Sequence, residues 1–181
     1  MHSLSNLVQL NIYHLKQAQQ LIERVSDQSF TYIEPPIFDS GIGDHLRHIF
    51  DHYSCFLDGL DEKCVDYDAR SRDRKISTDR SYAASHCETL CQALTHVNSP
   101  ALQLDVKIAG SAPSSDASLE LSPWTKSNIE RELQYLQAHT IHHYALISMI
   151  LKIQGLDSDA DFGVAPSTLQ HRATQMASEA L

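Results

Sequence analysis

Apolar side chains recur every three or four residues in four stretches of the chain, which is the pattern of amphipathic helices. These stretches cover residues 4–25, 40–59, 79–98 and 127–154. The proline pair at 35–36 cannot continue a helix, because proline lacks an amide donor and its ring collides with the preceding turn. The pattern therefore predicts four long helices, the second capped by Asp39 or Ser40, with a loop between the first two.

The hydrophobic period changes to two between the third and fourth stretches. Apolar and polar residues alternate within 102–108, and Leu119 and Leu121 repeat this alternation after a turn rich in Gly, Ser and Pro. Alternation of this kind is typical of a strand that is buried on one face. We therefore expect a small β-hairpin within residues 99–124.

Four amphipathic helices bury their apolar stripes most simply against one another. The sequence thus predicts an all-α fold, a four-helix bundle with a small β-hairpin insertion between helices three and four, as a single domain of residues 1–181. Residues 61–78 are dense in charge and predict a solvated connection with room for a short helix or a flap. Residues 156–181 are expected to form a C-terminal tail, and Gly155 is placed to end the fourth helix.

The charge balance and the apolar runs exclude two classes of partner. Lys and Arg total 14 against 23 for Asp and Glu, a formal charge of −9, so the positive surface needed for phosphate backbones is missing. The longest largely apolar run, residues 144–151, is far shorter than a membrane span. The N-terminal residues also lack the basic start and apolar stretch of a secretory signal. We expect a cytoplasmic protein that binds neither nucleic acid nor membranes.

The four cysteines lie outside any CxxC pair, so we expect no disulfides and treat most of them as small buried side chains. Cys87 and Cys91 are four residues apart beside His86 and form a candidate second site for a soft metal. Cysteines at helical spacing are common in helical cores, which is the simpler interpretation.

Histidine is the unusual residue: six of the 11 fall into two short windows. His139 and His143 are one helical turn apart on the fourth predicted helix and face the same side, whereas His142 projects further outward. His45, His48 and His52 share one face of the second predicted helix. Any of these three could supply a third ligand to a metal between the helices.

The helical wheel does not choose among them, and it places His45 and His52 nearer the apolar stripe than His48. Three neutral imidazoles around a divalent ion would leave a coordination position for water or substrate. The simpler interpretation is that these are capping, core-edge or surface histidines.

Other motifs are weaker. Arg70 and Arg72, with Arg74, could anchor a substrate carboxylate or form a solvated charged face. No nucleophile elbow surrounds a serine, and the Gly41–Gly43 segment lacks the rest of a nucleotide-binding loop.

The string GDHLRHI at 43–49, paired with HTIHH at 139–143, resembles the DinB/YfiT-like superfamily. The strings at 65–72, 131–133 and 162–168 are similar to a bacterial subgroup of that superfamily with no settled activity. The resemblance implies a four-helix bundle with one metal-binding histidine on the second helix and an HxxxH on a later helix. On that pattern the ligands are His48, His139 and His143.

The resemblance also implies a class of chemistry. Characterised relatives include thiol-dependent transferases and isomerases and a domain of iron-dependent sulfoxide synthases, in which a metal holds a thiolate. We therefore expect a transferase or a hydrolase that acts on a small molecule, with zinc, nickel or iron as cofactor and a low-molecular-weight thiol as a candidate partner. The alternative is a non-catalytic metal-binding or stress-response module that acts as a homodimer.

Further residues are expected near the ligands. The side chains that could support the ligands are His45, His52, His142 and Tyr144. Placement on the predicted helices also provides candidates for a general acid or base, namely Tyr144, Tyr13, His14, Asp51 and His52.

Overall fold

The computed structural model describes residues 4–99, 102–107 and 124–179. These residues form a mostly helical structure with one small sheet. In chain order the elements are α1 Leu4–Arg24, α2 Asp27–Thr31, α3 Ile42–Asp58, β1 Cys64–Asp66, α4 Arg74–Thr78, α5 Arg80–Leu94, β2 Gln103–Lys107, β3 Trp124–Asn128, α6 Ile129–Ile153 and α7 Pro166–Glu179.

The four predicted helices are present as α1, α3, α5 and α6. Helix α1 contacts α5 and α6, and α3 contacts the same two helices. Their apolar stripes meet in one core, where Leu15, Leu46, Leu94 and Leu136 are almost fully buried. The predicted stop of the last long helix is confirmed, because Gly155 follows α6 with φ 71°, a conformation that glycine adopts without strain.

The sheet has the order β1-β2-β3 and differs from the predicted hairpin. Strand β2 lies within the predicted first strand and pairs antiparallel with β3, with Val106 opposite Thr125. The predicted second strand at Leu119 and Leu121 lies outside the described residues, and β3 begins further along the chain. The third strand, β1, pairs in parallel with β2 inside the segment predicted as a solvated connection. That prediction is wrong here, because Val65 is fully buried against the core.

Three helices lie where the sequence predicted loop, connection or tail. Ser26 starts α2 by accepting a hydrogen bond from the amide of Ser29 at 3.0 Å. Helix α4 is the short helix for which the charged connection left room. Helix α7 occupies the predicted tail, and its described side chains are exposed or half-buried, so no apolar stripe marked it.

The two glycines at the start of α3 cap the helix and allow close packing. Gly41, rather than Asp39 or Ser40, is the cap residue, and its amide donates to Asp44 at 3.2 Å. A Cβ on Gly43 would lie 2.2 Å from the carbonyl oxygen of Ser77 and 2.7 Å from the ring of Phe30. These glycines therefore let α3 approach α2 and α4 closely.

No helix in the described part of the chain is long and apolar enough to cross a membrane. The four cysteines are free thiols, and Cys87 donates to the backbone carbonyl of Leu15 at 3.2 Å. His86 lies beside the hydroxyl of Ser54, 3.4 Å away. The Cys87 and Cys91 pair therefore belongs to the core, in agreement with the simpler interpretation.

Candidate metal centre

Helices α3 and α6 bring three histidines from distant parts of the sequence to one place. His48 on α3 faces His139 and His143 on α6, and one ring nitrogen of each lies within 4.8 Å of the other two. The ring centroids are 4.6 to 5.0 Å apart. Among the described residues this is the group whose ligand atoms come close enough to hold a metal ion.

The donor set fits a divalent transition metal. Metal–nitrogen bonds of about 2.1 Å would hold tetrahedral ligands about 3.4 Å apart, so the three rings would have to move closer together to bind one ion. The Nε2 atom of His139 is buried and has no hydrogen-bond partner in the described part of the chain. A buried nitrogen without a partner is costly unless something binds it. Imidazole suits zinc, nickel, iron and copper, so the residues do not select one ion.

Burial favours the neutral form of all three histidines in this cluster. It lowers the pKa of His48 and of His139 to about 4 and that of His143 to about 3. Repulsion from neighbouring histidines and, for His48 and His139, from Arg70 acts in the same direction. At neutral pH all three rings are neutral, which is the state that binds metals.

His45 and His52, the two alternatives that the sequence left open on α3, flank the three-histidine cluster. Nδ1 of His45 lies 2.9 Å from Nδ1 of His143, so the two rings share a hydrogen bond. His52 is 4% exposed, and its ring stacks on that of Tyr67 with centroids 5.1 Å apart. Burial lowers the pKa of His52 to about 2. Both rings therefore contact the cluster, and neither joins the group of three close nitrogens.

The two α6 residues expected to support the ligands behave differently. His142 is exposed, with its ring centroid 5.3 Å from that of His143. Tyr144 is fully buried, donates to the backbone carbonyl of His14 and stacks on Phe162. One residue further along a helix is a rotation of about 100°, which turns Tyr144 towards α1. Tyr144 is therefore a core residue, and the expectation that it supports the ligands is wrong.

Arg70 and Arg72, the two candidate substrate-binding arginines, separate in the structure. The guanidinium of Arg70 donates from Nη1 to Nδ1 of His48 at 3.1 Å and to Nε2 of His52 at 2.9 Å. Arg72 is exposed, and its guanidinium donates to the backbone carbonyl of Arg70 at 3.2 Å. Only Arg70 belongs to the cluster, and the interpretation as a solvated charged face is wrong for it.

Asp51 holds the loop that carries Arg70. It is 3% exposed, accepts a hydrogen bond from the hydroxyl of Ser71 at 3.2 Å and lies 3.9 Å from the guanidinium of Arg47. The backbone amide of Arg72 also donates to it. Burial nevertheless raises the pKa of Asp51 above its ordinary value. Asp51, a candidate acid or base, thus acts as the anchor of the loop.

The remaining candidates for proton transfer lie elsewhere. The hydroxyl of Tyr13 donates to Asp161 at 2.8 Å, and Nδ1 of His14 is 3.0 Å from the side chain of Gln17. Both residues are on α1, which contacts α6 through Tyr144 and Gln137 rather than through His139 and His143.

Sequence reasoning missed an aromatic and acidic layer beside the histidines. Tyr135 stacks on His139 with centroids 5.6 Å apart. The hydroxyl of Tyr67 donates to Glu132 at 2.9 Å, and Ser127 donates to the other oxygen of the same buried carboxylate. An acidic residue on the apolar stripe of α6, seven positions before His139, was the signal that could have identified this layer.

A cleft of about 180 Å³ lies next to this layer. Tyr135 forms part of the cleft wall and also stacks on His139, so it connects the cleft to the three-histidine cluster. Its lining residues are Val106, Thr125, Lys126, Ser127, Arg131, Glu132 and Tyr135.

Comparisons with known proteins leave the family open. No family model and no solved structure matches the chain. A curated protein named FK506-binding protein 5, from Rhizopus delemar, is 39% identical over 107 residues, which cover 59% of this chain and 27% of that protein. The match thus spans about a quarter of the length of this relative. These comparisons do not assign a function to the chain.

Proposed function

We propose that this protein is a metal-dependent enzyme of the DinB/YfiT-like type, with a divalent transition metal held by His48, His139 and His143. The observation that carries the proposal is the convergence of three ring nitrogens from two helices to within 4.8 Å of one another. The four long helices would form the bundle of that superfamily, with the metal between α3 and α6. Zinc, nickel and iron are the candidate ions.

The reaction that fits best is transfer of a low-molecular-weight thiol to a small molecule, or a related hydrolysis, in the cytoplasm. Three protein ligands leave a coordination position open, and a bound metal lowers the pKa of a coordinated thiol or water so that a nucleophile is present at neutral pH. The neighbouring cleft of about 180 Å³ offers room for a small second substrate.

The residues around the ligands support this use. His45 fixes the orientation of the His143 ring through their shared hydrogen bond. Tyr67 stacks on His52 and Tyr135 stacks on His139, so aromatic rings lie against one side of the histidines. Glu132 is occupied by two hydroxyl donors, so its buried carboxylate is stabilised without binding to the cluster.

Elemental analysis of the untagged protein tests the metal site. After reconstitution with zinc, nickel or iron we expect about one equivalent of metal per chain, lost in each of the variants His48→Ala, His139→Ala and His143→Ala. His96→Ala, which removes an exposed histidine after α5, is the matched control and should retain the metal. Circular dichroism verifies that the variants fold. A wild-type chain that takes up none of the three ions would overturn the proposal.

Activity separates the enzyme from the non-catalytic alternative. Metal-loaded protein is screened for consumption of thiols in the presence of small electrophiles and for hydrolysis of small esters and amides. Turnover that disappears with the metal and in His143→Ala supports the enzyme. Stoichiometric metal without turnover, in a stable dimer, favours the structural or stress-response module.

A further inference from the structure

Arg70 occupies a ring nitrogen of one of the proposed ligands. A guanidinium is always charged and carries N–H donors but no acceptor. The nitrogens that face it, Nδ1 of His48 and Nε2 of His52, must therefore both present lone pairs.

The contact dictates the tautomer of His48. A neutral imidazole carries one proton, so while Arg70 holds Nδ1 the proton of His48 is on Nε2. Coordination through Nδ1 would need the lone pair that Arg70 occupies. Coordination through Nε2 would move the proton to Nδ1, where it would point at an N–H of Arg70. In either case Arg70 has to leave His48 before this ring can coordinate a metal.

The released guanidinium would lie beside a divalent ion, in a strongly positive electrostatic environment. Three neutral imidazoles do not compensate the charge of a divalent ion, and Arg70 adds another positive charge beside it. The two nearby buried carboxylates already have partners. Asp51 attracts Arg70 but also faces Arg47 at 3.9 Å and accepts from Ser71, and Glu132 accepts from Tyr67 and Ser127. Nε of Arg70 is also buried without a hydrogen-bond partner in the described part of the chain. An anionic group from a ligand would satisfy both the charge and the free donors.

We propose that Arg70, released from His48, binds an anionic group such as a carboxylate on the same small molecule whose thiol binds the metal. The inference rests on the proposed function and deepens it, because it assigns the ligand to the class of thiols that carry a carboxylate. Arg70 would then have two states, bound to His48 and His52 without metal and bound to the ligand carboxylate with metal.

Cobalt(II) provides the test, because its visible absorption reports thiol coordination independently of turnover. Cobalt affinity is measured by chelator competition for the wild type, for Arg70→Met and for the control Arg74→Met, which removes an exposed arginine from the start of α4. Loss of the competing guanidinium should increase the affinity about tenfold in Arg70→Met and leave Arg74→Met like the wild type.

The second measurement compares two thiols of equal length, 3-mercaptopropionate and 3-mercaptopropanol, which differ in the carboxylate. Cobalt-loaded wild type and Arg74→Met should bind the carboxylate thiol about tenfold more tightly than the alcohol, and Arg70→Met should bind both equally. If circular dichroism shows that Arg70→Met does not fold, Arg70→Gln replaces it in both measurements.

The outcomes separate this inference from the proposed function. If no variant and no wild-type protein binds cobalt, the proposed function fails, and the inference fails with it. If cobalt binds, three results would overturn the inference alone. The first is a cobalt affinity that does not rise in the Arg70 variant. The others are a wild type that binds neither thiol or both equally, and a preference for the carboxylate thiol that persists without Arg70.

Discussion

The Nδ1 atoms of His45 and His143 lie 2.9 Å apart. One of the two must donate and the other accept, so each ring restricts the tautomer of the other. When His143 donates, its Nε2 carries a lone pair that is available to a metal. At the proposed metal site, His45 would therefore act through His143, as a positioning residue.

Replacement of His45 should weaken metal binding without abolishing it. In His45→Ala the ring of His143 loses its hydrogen-bond partner, and we expect metal affinity to fall by about 10- to 100-fold. Chelator competition measures the change, and His96→Ala, which removes an exposed histidine outside the cluster, is the control. Unchanged affinity in His45→Ala would show that the hydrogen bond does not orient the ligand.

Acid should destabilise the metal-free protein. The pKa of His52 is lowered to about 2 and those of His48 and His139 to about 4, whereas an unfolded histidine titrates near 6.5. The unfolded chain thus binds more protons than the folded chain below pH 6.5, and the free energy of unfolding decreases as the pH falls from there towards 4. Urea denaturation of the metal-free protein at pH 7.5, 6.0 and 5.0 measures this decrease.

His52→Asn tests the origin of that pH dependence. Asparagine does not titrate, so the variant should lose less stability than the wild type between pH 7.5 and 5.0, whatever its stability at neutral pH. Equal pH dependence in both proteins would place its source outside His52. His96→Ala, at an exposed site, should follow the wild type.

The hydroxyl of Tyr67 should contribute to stability through Glu132. Tyr67→Phe keeps the ring on His52 but removes one of the two hydroxyl donors to a buried carboxylate, which we expect to cost about 1.5–3 kcal/mol. Tyr13→Phe removes an exposed hydrogen bond to Asp161 and should cost less than about 0.5 kcal/mol. Urea denaturation compares the two, and similar costs would contradict the role given to burial.

Gly43 should not tolerate a methyl group. The new Cβ would collide with the backbone of Ser77, which cannot rotate away as a side chain would, so Gly43→Ala should destabilise the protein by about 1–3 kcal/mol. Thermal unfolding followed by circular dichroism measures the loss. Ser81→Ala, at an exposed position of α5, is the control, and an equal effect of both changes would disprove the close approach of α3 and α4.

The long helices could be predicted from the sequence because each has a stripe of apolar residues that identifies its buried face. Strand β1 could not, since it is three residues long and its partner β2 is about forty residues further along the chain. Helix α7 could not be predicted either, because its described side chains are exposed or half-buried and it has no apolar stripe. The predicted start of α6 is two residues early, because Ser127 and Asn128 belong to β3.

For the candidate site, spacing on helices was informative and loop geometry was not. The i,i+4 pair His139 and His143 could be placed on one face from the sequence alone. The role of Arg70 could not be found in this way, because it depends on Asp51 binding the loop at Ser71. Without that anchor, the arginine is one charge among many in a polar segment.

Strand β3 ends at Asn128 and α6 begins at Ile129, so no linker separates the sheet from the helix that carries His139 and His143. The strand register consequently sets the rotational phase of α6. A slip of one residue in the pairing of β2 with β3 would shift every α6 residue by one position along the helix. With the helix backbone in place, both imidazoles would then turn by about 100°, away from His48. An insertion or deletion of one residue at this boundary should thus weaken metal binding strongly, even though the boundary lies far from the histidines along the chain.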